Sequence, residues 1–507
     1  MKLKTLIEKC NPIQITGNTD VNITSVEYNS AKVTPGTLFV CIKGFRSDGH
    51  QFITDAWTKG AVAFLVEDMP EDGILRKAGS SDAGSAPVFI QVKDTREALA
   101  LVAAAWFNYP AEKMTMIGLT GTKGKTTTAF MTKQILEEAG YKVGMIGTVG
   151  AYIGSEKIET KNTTPESFEL HSLFARMLEN GCTHVVMEAS SQGFKLKRTA
   201  GILFDYGAFL NLSPDHISPI EHKDFEEYRD CKKMMFDQTR LAIANMDSEH
   251  WRYVTADAKN PITISVQDNS DSVETEKSAD LYAADIESIW EPGVLGSAFT
   301  VTGLYNGDIT LNMPGEFNVH NALIAMAIAA KLGIDFETVK KAFLKVSVKG
   351  RTQLIPEAAH LATFIIDYAH NALSTESLLS MLKGYQPGRL ICLFGCGGNR
   401  DKQRRYDMGL AAGKYADLSV LTTDNPRFED PAHITAHIIE GLNVHHGFYQ
   451  VIMDRREAIH YVMDHCRKDD IVALLGKGHE EYQEIEGVKH HFSEEEIIKE
   501  YAAQMRV

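Results

Sequence analysis

Gly118-Leu119-Thr120-Gly121-Thr122-Lys123-Gly124-Lys125-Thr126-Thr127-Thr128 follows the apolar run Met114-Thr115-Met116-Ile117 and precedes a helical segment, Ala129 to Ala139. A strand, a glycine loop and a helix in that order make a cradle for phosphate. Glycine lets backbone N–H groups approach an anion, and the helix N-terminus carries partial positive charge. Lys125 adds a mobile cation and the Thr126 hydroxyl a ligand for Mg²⁺, so the stretch predicts a nucleoside triphosphate site. The spacing departs from the usual G-x-x-x-x-G-K pattern: Gly118 to Gly124 encloses five residues, and Gly121 to Gly124 only two. A glycine-rich turn that merely opens a helix is the competing reading.

Outward from this loop, residues from about 111 to 348 alternate apolar runs with helical segments, which predicts a mostly parallel sheet. Candidate strands are Met114–Leu119, Val143–Thr148, His184–Glu188, Tyr206–Asn211 and Leu241–Asn245. Ligands of such sheets collect at the carboxyl ends of strands. Glu188 ends one strand, and Asn211-Leu212-Ser213-Pro214-Asp215-His216 ends another. A carboxylate and an imidazole converging near Thr126 could hold Mg²⁺ against a triphosphate. Taken singly, Glu188 also reads as a helix N-cap or solvated strand end, and His216 as an ordinary loop histidine.

Upstream, residues 1 to 110 hold short apolar runs, a Ser/Gly/Ala/Asp stretch from Gly79 to Pro87 that reads as a surface loop, and a closing helix, Arg96 to Trp106. Downstream, Ala298–Val301 and Ile309–Met313 predict an antiparallel addition, and Gly350-Arg351 reads as a hinge. Beyond it, strands Thr363–Tyr368, Leu390–Gly395, Leu418–Thr423 and Ile471–Gly476 alternate with helices in a second nucleotide-fold-like unit without its own phosphate loop. The fold expected is α/β with three domains, 1–110, 111–348 and 349–507.

Composition narrows the function. Hydrophobic content of 44% and charged content of 23% are globular values. A net charge of −15 argues against a general nucleic-acid binder. No signal-peptide-like start and no uninterrupted apolar run long enough for a membrane span is found, so a soluble, cytoplasmic protein is expected. Seven scattered cysteines predict buried thiols in a reducing compartment rather than disulfides or zinc.

The blocks Gly121-Thr122-Lys123-Gly124-Lys125-Thr126-Thr127, Thr163-Thr164-Pro165, Glu188-Ala189-Ser190-Ser191, Asn211 to His216, Gly315-Glu316-Phe317-Asn318, Asp367-Tyr368-Ala369-His370 and Gly476-Lys477-Gly478-His479-Glu480, in this order, resemble the Mur ligase family. Within it the chain is most similar to the branch that extends UDP-N-acetylmuramoyl-L-alanyl-D-glutamate by a third amino acid. The resemblance implies an N-terminal UDP-binding α/β domain, a central phosphate-loop ATPase and a C-terminal Rossmann-like domain for the amino acid. It implies a monomeric ligase that phosphorylates the D-glutamyl carboxylate with ATP and lets an amine displace phosphate, during peptidoglycan precursor synthesis. Two Mg²⁺ ions are implied, at Thr126, Glu188, His216 and a carbamylated Lys232, with Lys125 as the phosphate lysine. A neutral amine captures CO₂ to give an anionic oxygen ligand. By residue type alone, Lys232 is an ordinary exposed helix lysine, like Lys233.

The same resemblance assigns Ser30, Asn162, Thr163, Thr164, Ser190 and Arg198 to the UDP-linked peptide. It assigns Asn318, Asn321, Arg351 and Asp367 to the nucleotide, against helix capping for Asn318 and an Arg351–Asp367 salt bridge. After His370 the chain continues Asn371-Ala372-Leu373 in place of the branch's common Thr-Pro-Asp, and Leu196 stands where some relatives carry a polar residue.

Asp424-Asn425-Pro426-Arg427 bears on which amine is added. meso-Diaminopimelate differs from lysine by a second carboxylate, which a planar guanidinium grips through two parallel hydrogen bonds. Arg427 therefore favours diaminopimelate, and the resemblance adds Arg400, Gly476 and Glu480 as partners. A proline turn with a surface arginine is the bland reading. A lysine-adding or folylpolyglutamate-synthetase-like ligase, and a nucleotide-dependent switch or binding module, are the other functions open to the chain.

Overall fold

The computed structural model describes residues 1–44, 47–70, 86–214, 217–218, 221–266, 279–291 and 293–505. His216 and most of the loop expected between Gly79 and Pro87 lie outside the described residues. The chain forms two compact units, residues 1–264 with 327–331, and residues 265–326 with 332–507.

The first unit holds two sheets. A five-stranded one has the order Gln14–Thr16, Val88–Gln91, Ala63–Val66, Thr37–Val40, Ser25–Glu27, parallel except for its first strand. The second sheet runs Ile262–Ser265, Thr239–Asn245, Phe204–Phe209, Thr115–Thr120, His184–Glu188, Val143–Gly147, all parallel, then continues antiparallel through Gly150–Ile153 and Glu156–Ile158. Of its central strands, His184–Glu188 is buried throughout and Thr115–Thr120 from Met116 onward, which is why they read as unbroken apolar runs rather than as alternation. The expected strands are all present, with ends shifted by one or two residues.

Packing explains the irregular glycine spacing of the opening stretch. Gly118 lies within the strand Thr115–Thr120, and a Cβ there would come within 2.8 Å of the Phe204 ring and 2.9 Å of Met235. It is a core glycine. The loop itself starts at Gly121, whose φ of 156° leads to Gly124 at φ 86°, the left-handed residue from which the helix Lys125–Glu138 departs.

In the second unit, Leu281–Glu291, Val294–Gly303 and Gly307–Leu311 form the expected antiparallel addition. Leu295 joins the core of the C-terminal sheet, and Tyr385 Oη donates to the Gly296 carbonyl at 2.9 Å. That sheet has the order Gln353–Leu354, Thr363–Asp367, Ile471–Leu475, Leu390–Phe394, Leu418–Leu421, Tyr449–Val451, parallel except for the first pair. A separate hairpin pairs Tyr482–Ile485 with Val488–His491.

Two features hold the strand ends of this unit in place. Buried Arg455 pairs with buried Glu494 at 2.7 Å and also donates to the carbonyls of Leu475 at 2.8 Å and Thr423 at 3.2 Å. It thus ties together the ends that carry Gly476 and Asp424; losing one partner of such a buried pair costs roughly 3–5 kcal/mol. Gly350, expected as a hinge, is tightly packed: a Cβ would lie 2.1 Å from the His479 nitrogen, and its φ is 68°.

Candidate functional site

In the first unit, the glycine loop is braced from the neighbouring strand end. Thr122 N donates to the Asn211 carbonyl at 3.0 Å, Lys123 N to Asn211 Oδ1 at 2.9 Å, and Asn211 Nδ2 to the Lys123 carbonyl at 3.1 Å. Thr122 Oγ1 exchanges hydrogen bonds with Ser213 and lies 3.0 Å from Tyr228 Oη. Lys125 folds back over the loop, its Nζ donating to the carbonyls of Gly121 at 2.8 Å and Thr122 at 3.1 Å.

Glu188 is 1% exposed, not the solvated strand end or N-cap that its position alone would allow. Its carboxylate accepts from Thr126 Oγ1 at 2.8 Å, Thr148 N at 3.0 Å and Thr148 Oγ1 at 3.1 Å. All three donors are neutral, and no lysine or arginine pairs with it among the described residues. Gly147, on the adjacent strand, makes this position possible: a Cβ there would stand 2.1 Å from Glu188 Oε1. Beside it, Thr164 Oγ1 donates to the Glu188 carbonyl at 2.9 Å and accepts from Ser190 N at 3.0 Å, and Thr163 Oγ1 lies 3.1 Å from Thr148 Oγ1.

Lys232 corrects the reading by residue type. The helix Phe225–Lys233 starts at an Asp224 cap and buries Tyr228, Cys231 and Lys232, which share one face at the spacing of a helical turn. Lys232 is 1% exposed, its Nζ donates to the Gly121 carbonyl at 2.9 Å and lies 4.5 Å above the Tyr228 ring. Lys233 turns away and pairs with Asp257 at 2.9 Å.

The residues expected to meet the UDP-linked peptide spread from this cluster. Buried Arg198 grips Glu166 Oε1 through Nη2 at 2.7 Å and Nε at 3.0 Å, and donates from Nη1 to the Thr164 carbonyl at 3.1 Å. Arg96, on the helix Thr95–Trp106, reaches the other Glu166 oxygen at 3.6 Å. Burial, with Glu166 and Glu169 adding like charge, pushes the Tyr28 phenol above its ordinary value, and Ser30 opens the short turn Ser30–Lys32 capped by Asn29. Asn162 is half-buried beside Thr163.

In the second unit, Asn318 and Asn321 are both buried in the first turns of the helix Glu316–Lys331. Asn318 Nδ2 donates to the Pro314 carbonyl at 2.8 Å, and Asn321 Nδ2 donates to Asn318 Oδ1 at 3.1 Å. Asp367 accepts from Thr352 N at 2.6 Å and Ala369 N at 2.7 Å; loss of hydration raises its carboxyl above the ordinary value, opposed by Arg351. Arg351 itself stacks 4.9 Å over the Tyr368 ring. Asn371, the departure from the branch's common sequence, is the N-cap of the helix Ala372–Gly384, with a reciprocal bond to Ser374.

The other strand ends of this unit enclose a cavity of about 130 Å³ lined by Tyr368, His370, Arg400, Arg404, Arg427, Asp424, Asn425, Gly476 and Glu480, among others. Fully buried Lys477 organises its acidic side, 3.4 Å from Asp424 Oδ1, 3.6 Å from Glu480 Oε2 and 3.2 Å from Asn425 Oδ1. Asn425 Nδ2 donates to Glu480 at 2.9 Å; burial raises the Glu480 carboxyl, and Lys477 pulls it back. Gly476, at φ 102°, leaves room for Asp424, whose Oδ2 would sit 2.8 Å from a Cβ. Arg427, directly after Pro426, has a left-handed φ of 52°. Arg404 Nε donates to the His370 carbonyl; desolvation, with Arg400 adding like charge, lowers its pKa. Lys477 and Arg404 were not singled out from the sequence, although Lys477 sits inside a recognised block and Arg404 follows Arg400 by four residues.

Three family models match the chain: "Mur ligase family, catalytic domain" over residues 22–107, "Mur ligase middle domain" over 119–329, and "Mur ligase, glutamate ligase domain" over 350–478. A protein of Clostridioides difficile (strain 630) named UDP-N-acetylmuramoyl-L-alanyl-D-glutamate--2,6-diaminopimelate ligase is 40% identical over 507 residues, covering all of both chains. One of the same name from Clostridium perfringens (strain 13 / Type A) is 36% identical, over 98% of this chain and 99% of its own. A solved structure of a ligase of that name superposes with a TM-score of 0.71 at 27% identity, covering 100% of this chain and 99% of the other. Among the described residues, no helix is long and apolar enough to cross a membrane.

Proposed function

The chain belongs to the Mur ligase family, and from that premise we propose that it joins meso-diaminopimelate to UDP-N-acetylmuramoyl-L-alanyl-D-glutamate, converting ATP to ADP, in peptidoglycan precursor synthesis. Domain boundaries at 110/111 and 348/349 accord with the family matches beginning near 22, 119 and 350. Seven free thiols accord with a cytoplasmic enzyme.

The observation that carries the choice of amine is the charge pattern of the 130 Å³ cavity. Arg400, Arg404 and Arg427 face it with Asp424 and Glu480, so one small space offers cations for carboxylates and acids for ammonium groups. A diamino dicarboxylic acid satisfies both sets, whereas lysine leaves one guanidinium without its anion.

A carboxylate is a poor electrophile, and ATP supplies the phosphoryl group that turns the D-glutamyl carboxylate into an acyl phosphate, from which the amine displaces phosphate. The loop from Gly121 to Thr127, through the N–H groups not given to Asn211 and with Lys125, receives the triphosphate; Asn318, Asn321, Arg351 and Asp367 serve the rest of the nucleotide. Ser30, Asn162, Thr163, Thr164, Ser190 and Arg198 hold the UDP-linked peptide, Glu166 keeping the Arg198 fork in plane.

Mg²⁺ fits the residues present. Among the described residues, buried Glu188 has only neutral partners, which suits a carboxylate whose counter-charge is a bound cation. No group of three His, Cys, Asp or Glu gathers among the described residues, which suits an ion that takes one or two carboxylates and completes its shell with phosphate and water. Thr126 and Glu188 would hold it, with His216 and carbamylated Lys232 at a second ion; the chemistry such ions would supply there is neutralisation of phosphate charge.

The decisive measurement is ADP release from purified protein given UDP-N-acetylmuramoyl-L-alanyl-D-glutamate with diaminopimelate, lysine or ornithine in turn. Release that needs both dipeptide and diaminopimelate is expected; release with nucleotide alone indicates a switch, and equal response to lysine a different ligase. Gly147→Ala tests the metal cluster separately. Its added Cβ, 2.1 Å from Glu188 Oε1, must push the carboxylate away from Thr126 and Thr148. Turnover falls roughly 10–100-fold while the melting temperature moves by only a few degrees; unchanged turnover removes Glu188 from the reaction.

A further inference from the structure

The hairpin Tyr482–Ile485/Val488–His491 is bound to the Asp424–Arg427 loop by a run of specific contacts, and one of its side chains addresses the guanidinium that reads the amine. Arg427 N donates to the Glu484 carbonyl at 3.1 Å and Glu486 N to the Arg427 carbonyl at 2.8 Å, so that the backbone of Arg427 bridges Ile485. Asn425 Oδ1 accepts from Glu484 N at 2.9 Å, and Gln483 Nε2 donates to Thr423 Oγ1 at 2.9 Å. These bonds hold a non-glycine residue at φ 52°, a conformation that an unbraced arginine leaves.

The side chain is fixed with equal care. Glu484 Oε2 accepts from Arg427 Nε at 3.1 Å, and the Gly398 carbonyl accepts from Nη1 at 2.7 Å. Gly397 admits the guanidinium: a Cβ there would stand 3.1 Å from Nη1. Both members of the ion pair are only about a quarter exposed, 23% and 24%. Arg427 lines the cavity and Glu484 is not in its lining. Among the described residues Nη2 donates to nothing, so the end of the fork made by Nη1 and Nη2 still has N–H groups to offer a carboxylate.

We infer that Glu484 is a positioning residue for amine selection: by holding Arg427 through Nε, it presents the outer end of the fork to the distal carboxylate of the incoming amino acid. The inference rests on the diaminopimelate reading above. An arginine already locked in its binding rotamer loses little freedom when the ligand arrives, and its two remaining donors keep the plane that a bidentate carboxylate requires. Glu484 touches no reacting atom; its effect passes through Arg427.

The test compares wild type with Glu484→Ala, Glu484→Ser and Glu484→Gln by ADP release, varying diaminopimelate, lysine, ATP and dipeptide in turn. Truncation to Ala or Ser is expected to raise KM for diaminopimelate about 10-fold or more while kcat and the other two KM values stay within about threefold. Preference for diaminopimelate over lysine drops by the same factor. Glu484→Gln, which keeps an oxygen for Nε, restores KM to within about threefold of wild type. A KM for diaminopimelate that is unchanged or lower after truncation overturns the inference, as does a joint rise of all three KM values or failure of the glutamine variant to rescue. Wild-type enzyme indifferent to diaminopimelate overturns the functional reading and this inference with it; a responsive wild type with unaffected truncations overturns the inference alone.

Discussion

In an Arg427→Ala enzyme, kcat/KM for meso-diaminopimelate is expected to fall by about 10²–10³-fold, while KM for ATP and for the UDP-linked dipeptide stays within about threefold. The guanidinium is held by Glu484 and the Gly398 carbonyl, so its loss removes a preorganised carboxylate partner and not a mobile surface charge. Glu484, three-quarters buried in the pair, is then left without its cation beside the place proposed for the substrate's distal carboxylate, and repulsion adds to the lost attraction. Lysine, which has no distal carboxylate, loses far less, so the ratio of the two amines collapses. Arg427→Lys does not rescue, because an ammonium is a point charge and cannot grip two oxygens in one plane. Steady-state ADP release with each amine measures this; an equal loss for lysine and diaminopimelate assigns Arg427 to the fold, and unchanged kinetics remove it from the site.

The second large effect is expected at Glu188. Glutamine has the same shape and keeps an oxygen for Thr148 N, so Glu188→Gln removes charge with little disturbance of the strand end. With the one described carboxylate beside Thr126 neutralised, kcat falls about 10³-fold, and the Mg²⁺ concentration for half-maximal rate rises about 10-fold or more. Binding of the UDP-linked dipeptide, followed calorimetrically without nucleotide, stays near wild type. A variant with full turnover and an unaltered Mg²⁺ requirement would show that the buried carboxylate only braces Thr126 and Thr148.

Much of the architecture was legible because it depends on local pattern. The strands flanking the loop read as apolar runs since both faces of the parallel sheet are buried, and the antiparallel addition after residue 280 was visible as short alternating runs. The glycine spacing was less transparent: Gly118 and Gly121 look alike in sequence, and only the Phe204 and Met235 side chains distinguish a core glycine from a loop glycine. Lys232 and Lys233 are equally indistinct, since one step along a helix turns a side chain by about 100° and the tertiary neighbour decides which of them is buried. Gly147 gave no signal at all, because its importance lies in an oxygen of Glu188, on a different strand.

Residue chemistry and order alone therefore determined an α/β fold, a glycine loop set between a strand and a helix, and strand ends loaded with acids and arginines. These depend on local geometry and on the periods of helix and strand. Which of those groups act together was decided by the tertiary structure. Thr126 meets Glu188 across 62 residues, Lys232 meets Gly121 across 111, and Arg427 meets Glu484 across 57. Contacts at such separations are set by sheet register and by what each side chain leaves room for, and neither is written in any local stretch of the chain.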